Sequence, residues 1–108
     1  MKHITMAEKS LLVGDAAADA LVRYAALVAQ LGGGDSVELA AIGVDGEMVT
    51  ASLLLNSGTV LMAESTRSEL PEPDNTGVTE YMLKRMRSYG TSDLEEPAAE
   101  YPGDTSEE

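Results

Sequence analysis

The chain has no cysteine, no phenylalanine and no tryptophan, and its single histidine is His3. Without thiols there are no disulfides, no thiolate nucleophile and no Cys-ligated zinc. One histidine beside the first residue cannot build a histidine-based metal site and argues against a Ser–His nucleophile; its ordinary reading is a partly exposed side chain. Long apolar runs are missing too. The longest, residues 20–31, is broken by Arg23 and Gln30 and is too short to span a bilayer. Residues 1–9 lack the continuous apolar segment of a signal peptide. Neither GxGxxG nor GxxxxGK[ST] occurs, which removes the usual phosphate loops. These absences predict a cytoplasmic protein without a cofactor, and they lean against an enzyme.

What is present is small, aliphatic and acidic. At 108 residues one domain is expected, and folding at this size buries only about 60–70% of the chain's potential surface. Six Met and four Tyr must help Leu, Val and Ala fill the core. The Ala, Asp and Gly usage is that of a GC-rich bacterial gene. The net charge is −12 and unevenly placed: residues 91–108 hold seven acids and no base, leaving 12 acids and 7 bases in residues 1–90. That field opposes direct binding to nucleic acid or an anionic membrane. The last eighteen residues are too polar to offset their ordering entropy, so the boundaries expected are a domain over 1–90 and a disordered acidic tail over 91–108.

Helical spacing is clearest over Asp15–Leu31, where Leu21, Tyr24, Ala25, Val28 and Leu31 recur on one face. Asp15 is placed to cap it, Asp19 and Arg23 to pair across one turn, and Gly32-Gly33-Gly34 to stop it. Asp15 and Asp19 share a face, as acid–base carboxylates do, yet acids at a helix start follow from its dipole alone. Asp45-Gly46 lies between two strand-like runs, 37–44 and 47–55. A two-residue loop there would set Ile42 against Val49, Ala40 against Ala51 and Glu38 against Leu53. In that register neither sheet face is cleanly polar, so both should be partly covered. Asn56-Ser57-Gly58-Thr59 predicts a second turn into a strand over 60–65, completing an antiparallel meander. Pro71 and Pro73 hold residues 66–75 in a loop, and a helix runs from about Asn75 to Tyr89 with Val78, Met82, Met86 and Tyr89 as its apolar stripe, ended by Gly90. At the start, residues 10–13 read as a short strand, while Thr5-Met6-Ala7-Glu8 also fits a capping box for a helical turn. The fold class expected is α+β: a three- or four-stranded antiparallel sheet with two helices, in the order (β)-α-β-β-β-α.

Two stretches carry functional signals. The loop around Glu64, Arg67, Glu69, Glu72, Asp74 and Asn75 is rich in oxygen ligands and runs into a helix start, where an anion or a cation could bind. The same residues are also what an exposed, helix-capping connection is made of. The second helix offers a partner surface of Met82, Lys84, Arg85, Met86, Arg87 and Tyr89, which the acidic tail could mask. Its cations equally well complement the helix dipole. Met48, Met62 and Tyr81 add apolar surface beyond what one layer covers, so a homodimer is expected. The reading is an interaction or regulatory module; the alternatives are an acidic client-masking protein, such as a secretion chaperone or an antitoxin-like inhibitor, and a small ligand-binding domain or enzyme using loop 64–75.

Overall fold

The structure, a computed structural model, describes residues 1–89. Five antiparallel strands and two helices follow in the order β1 (Lys2–Met6), β2 (Lys9–Val13), α1 (Asp15–Leu31), β3 (Gly34–Ile42), β4 (Met48–Asn56), β5 (Leu61–Ser65) and α2 (Thr76–Ser88). The α+β class is as expected, but the sheet has five strands rather than three or four. The addition is β1, which pairs with β2 through Met6 and Lys9 across a two-residue turn. No helical turn starts at Thr5: its hydroxyl meets that of Ser10 across the hairpin at 2.8 Å. Ala7 carries the turn's positive φ, 57°, a conformation that a side chain makes costly and that the sequence does not advertise with glycine. Gly90 and the tail over 91–108 lie outside the described residues.

Helix α1 has the predicted bounds. Gly32 (φ 70°) donates to Ala29 C=O and Gly33 to Val28 C=O, the paired bonds that close a helix at a left-handed glycine. Its start differs. Gly14 is the capping position, with no side-chain bond, and Asp19 pairs with Lys2 at 2.6 Å rather than with Arg23. Leu21, Tyr24 and Val28 are buried as expected, joined by Ala17, Ala18 and Leu27, while Leu31 is exposed.

The strand order is β4-β3-β2-β1-β5, so β5 does not complete a meander; it crosses to the far edge and pairs with β1. Asn56 and Leu61 are joined by five Cα steps, which reach about 18 Å at most, whereas four strand spacings in a flat sheet cover about 19 Å. The sheet must therefore curve. β2 and β3 meet through a single pair, Leu12 with Ile42, and α1 packs against β1, β3, β4 and β5. Ile4, Val13, Leu39, Leu55 and Leu21 form the centre of this core, and α2 closes it with Met82 and Met86.

The β3–β4 hairpin is shifted by one residue from the expected pairing. Asp45-Gly46 does turn the chain, but within a three-residue loop: Gly46 donates to Gly43 C=O, Gly43 donates to Glu47 C=O, and Gly46 holds φ 85°. Ile42 is thus opposite Met48, Ala40 opposite Thr50 and Val37 opposite Leu53. A shift of one exchanges the faces of β4. Val37, Leu39, Ala41, Leu53 and Leu55 turn inward to a uniformly apolar layer, and Ser36, Glu38, Thr50 and Ser52 turn outward with Met48 and Leu54. The register makes the inner face apolar, while the outer face stays mixed as expected, with Ile42 buried and Met48 and Leu54 exposed on it.

Candidate functional site

Strand β4, Met-Val-Thr-Ala-Ser-Leu-Leu-Leu-Asn, is an edge strand of nine residues with no ionisable side chain. Every other described strand and both helices carry at least one. Exposed edges offer unpaired backbone groups to any passing strand, and proteins usually guard them with charge, proline or brevity. The opposite edge, β5, is guarded in that way, with five residues that include Glu64.

The bond from Gly43 to Glu47 sets the ladder's phase, so odd-numbered residues of β4 bond to β3 and even-numbered ones turn their N–H and C=O away. The Asn56 end is finished by Thr59, whose Oγ1 accepts from Asn56 N–H (2.9 Å) and donates to Leu54 C=O (3.2 Å). Between Met48 and Ser52 no described group takes those roles. Met48 is 62% exposed and Leu54 61%. Beside this edge lies a cleft of about 670 Å³, lined by Ile4, Met6 and Leu11 of the first hairpin and Val49, Ala51 and Leu53 of β4, with Glu8, Lys9 and Asp45 also in its wall. Nothing in the local sequence of β4 announces an edge; strand order decides it.

A second cluster joins α1, β3 and α2. The carboxylate of Asp35 accepts from the hydroxyls of Tyr24 and Tyr81, the latter at 2.7 Å. Arg85 donates through Nε to Tyr24 Oη at 2.8 Å and lies over the rings of Tyr81 and Tyr89. Burial foremost, and then donation to Asp35, push the Tyr24 phenol well above its ordinary range. Burial alone would raise Asp35, but the two phenol bonds, the Ser36 amide and Arg85 outweigh it and hold the carboxyl below its usual value. A phenol so hard to ionise is no base, and the cluster serves as a polar clamp between helices.

The sign of its pH dependence follows. A carboxyl lowered in the folded state contributes stability that is full above the unfolded value, about 4, and is lost as pH falls through the folded value. Asp35→Asn is expected to cost about 1–2 kcal/mol at pH 7, since it trades charged for neutral hydrogen bonds. Its deficit against the parent should shrink below pH ~4. Urea unfolding at the two pH values checks both; a deficit that stays constant would contradict the clamp.

The structure divides the loop residues: Glu72, Asp74 and Asn75 line one pocket beside Gly14, and Glu64, Arg67 and Glu69 do not join them. Glu64 stands on β5 opposite His3, and Arg67 and Glu69 are exposed. Asp74 accepts from Thr76 N–H (3.0 Å) and its hydroxyl (2.8 Å), which lowers its carboxyl. Glu72 lies against Gly14 at the start of α1, and Asn75 reaches the backbone of Ala40. Among the described residues no three His, Asp or Glu side chains converge as a metal site would need. Of the proposed partner surface, Met82 and Met86 are buried in the core, a correction that follows from α2 packing its methionine stripe on α1. Lys84, Arg87 and Tyr89 remain on the surface, and Arg85 belongs to the clamp. Tyr89 is exposed rather than part of the buried stripe.

No described helix is long and apolar enough to cross a membrane. Comparison with protein-family models, curated proteins and solved structures finds no match to this chain.

Proposed function

We propose that this chain is a protein–protein interaction module that acts by lending the β4 edge to another polypeptide strand. The observation that carries this reading is a nine-residue edge strand without a charged side chain in a chain of net charge −12. Strand addition supplies main-chain bonds at a sheet edge and takes specificity from alternate side chains. The even residues of β4 supply the first, and the adjoining cleft would receive the second. No catalytic step is assigned; the Tyr24–Asp35–Arg85 cluster joins the two helices and β3.

The test is to place two lysines on the edge, Thr50→Lys with Ser52→Lys. Both positions are exposed on the outer face, so the fold should survive, as circular dichroism would report. The parent chain, immobilised in extract of its native host, should retain at least one protein, copies of itself included, that the double variant loses. Identical retained sets would sink the reading.

A further inference from the structure

The edge is suited to one occupant in particular: we propose that it pairs antiparallel with the β4 edge of a second copy of this chain, about a two-fold axis through Ala51. This rests on the reading of β4 as a strand-lending edge and names its partner.

A two-fold axis sets each strand residue against its mirror position, so any charge on the strand would be brought near its own copy. β4 has none. Around it stand Glu47, one residue before Met48, Asp74, which lines a pocket beside Thr50, and Glu38, opposite Ser52 on β3. Three strand spacings separate β3 from β3 of the second copy, about 14 Å, well beyond the ~8 Å screening length at physiological salt. No charged side chain of the strand itself is brought against its copy.

The hydrogen-bond phase then restricts the register. Only even-numbered residues turn their N–H and C=O outward, so an even residue must face an even one. Three central registers satisfy this, with the axis at Thr50, Ala51 or Ser52. With the axis at Ala51, Met48 faces Leu54 of the second copy and Thr50 faces Ser52, which matches apolar with apolar and hydroxyl with hydroxyl. On the other face Val49 meets Leu53, and the smallest side chain of the strand meets itself on the axis, where the non-bonded pair brings Cα atoms to about 4.5 Å. The axis at Thr50 sets Met48 against Ser52, and the axis at Ser52 sets Leu54 against Thr50. The Ala51 register alone matches every pair. Its outermost pair brings Met48 N–H to Leu54 C=O, which already accepts from Thr59 Oγ1 and keeps a second lone pair for the incoming donor.

The chain has no cysteine, so one introduced thiol reports on this geometry without interference. Ala51→Cys in the full chain, under mild oxidation with glutathione disulfide, should convert most of the protein to a disulfide-linked species of twice the mass. Val49→Cys, on the same face, should stay single, because its two copies would lie four residues out of step, about 14 Å apart, beyond disulfide reach. The unmodified chain should sediment at twice its monomer mass, and Thr50→Lys with Ser52→Lys should return it to monomer. Equal cross-linking of the two cysteine variants would overturn the proposal, as would a dimer that Ala51→Cys does not link. A monomeric parent chain would overturn it too. If the lysine pair still cost that monomer its partners in host extract, the edge reading would stand and only self-pairing would fall.

Discussion

Replacing Met82 with alanine should destabilise the fold by about 2–5 kcal/mol, the range for emptying a fully buried long side chain. Met82 has no exposed surface and lies in the same core as Leu21, Tyr24 and Val28 of α1. This core contains no phenylalanine or tryptophan with which neighbours could refill the space. A methionine is flexible, but a missing one is still a cavity. In a domain of this size the loss corresponds to a fall in Tm of at least about 10 °C by calorimetry. Met82→Leu nearly conserves volume and should cost less than about 1.5 kcal/mol. Lys84→Ala, two residues on and exposed, should change stability by no more than about 0.5 kcal/mol. A Met82→Ala variant as stable as Lys84→Ala would mean that this methionine is a surface residue, as the partner-surface reading of the helix had it.

The second large effect is expected at Asn75. Strand β3 pairs with β2 only at its last residue, Ile42, so over the residues before it the side of β3 turned from β4 has no neighbouring strand. The Asn75 amide takes the place of that strand at Ala40. Its Oδ1 accepts from Ala40 N–H at 2.8 Å, and its Nδ2 donates to Ala40 C=O at 2.7 Å. The residue just before α2 is thereby fastened to the sheet. Asn75→Asp preserves shape while replacing the donor with an acceptor that faces a carbonyl. About 2–4 kcal/mol should be lost at pH 7, from one bond broken and two oxygens opposed. The introduced carboxyl is disfavoured as an anion there, so its folded pKa lies above the unfolded value of about 3.9. A group raised in the folded state gains stability as pH falls, and once protonated it can donate to the carbonyl again. The deficit against the parent should therefore shrink between pH 7 and pH 4, measured by urea unfolding. A deficit independent of pH would show that the amide's donor is not what matters.

These two residues illustrate how far the sequence can be read. Met82 lies on the apolar stripe of α2, and the stripe was legible; which neighbour covers it was not, so it could equally be assigned to a partner. Asn75 was legible as a residue at a helix start, but its partner is 35 positions away, and no local rule links them. Tyr24 was recognisable as a core residue by its spacing, whereas its bonds to Asp35 and Arg85 depend on how α1, β3 and α2 converge. Strand β1 was overlooked because its turn uses alanine at positive φ, where the familiar signal is Asn-Gly or Asp-Gly.

Local chemistry in the sequence determined the helix limits, the position of each turn from Asp45 onward, the loop between Ser65 and Thr76, and the α+β class. Each of these depends on residues a few positions apart, where capping, proline geometry and apolar spacing act directly. Tertiary structure decided the rest. A single residue in the loop at Gly46 chose the register and so the inward face of β4, since side chains alternate with period two. Strand order, a matter of distant pairing, put β5 on the far edge and left β4 uncharged and open, and that placement is what gives the strand its proposed role.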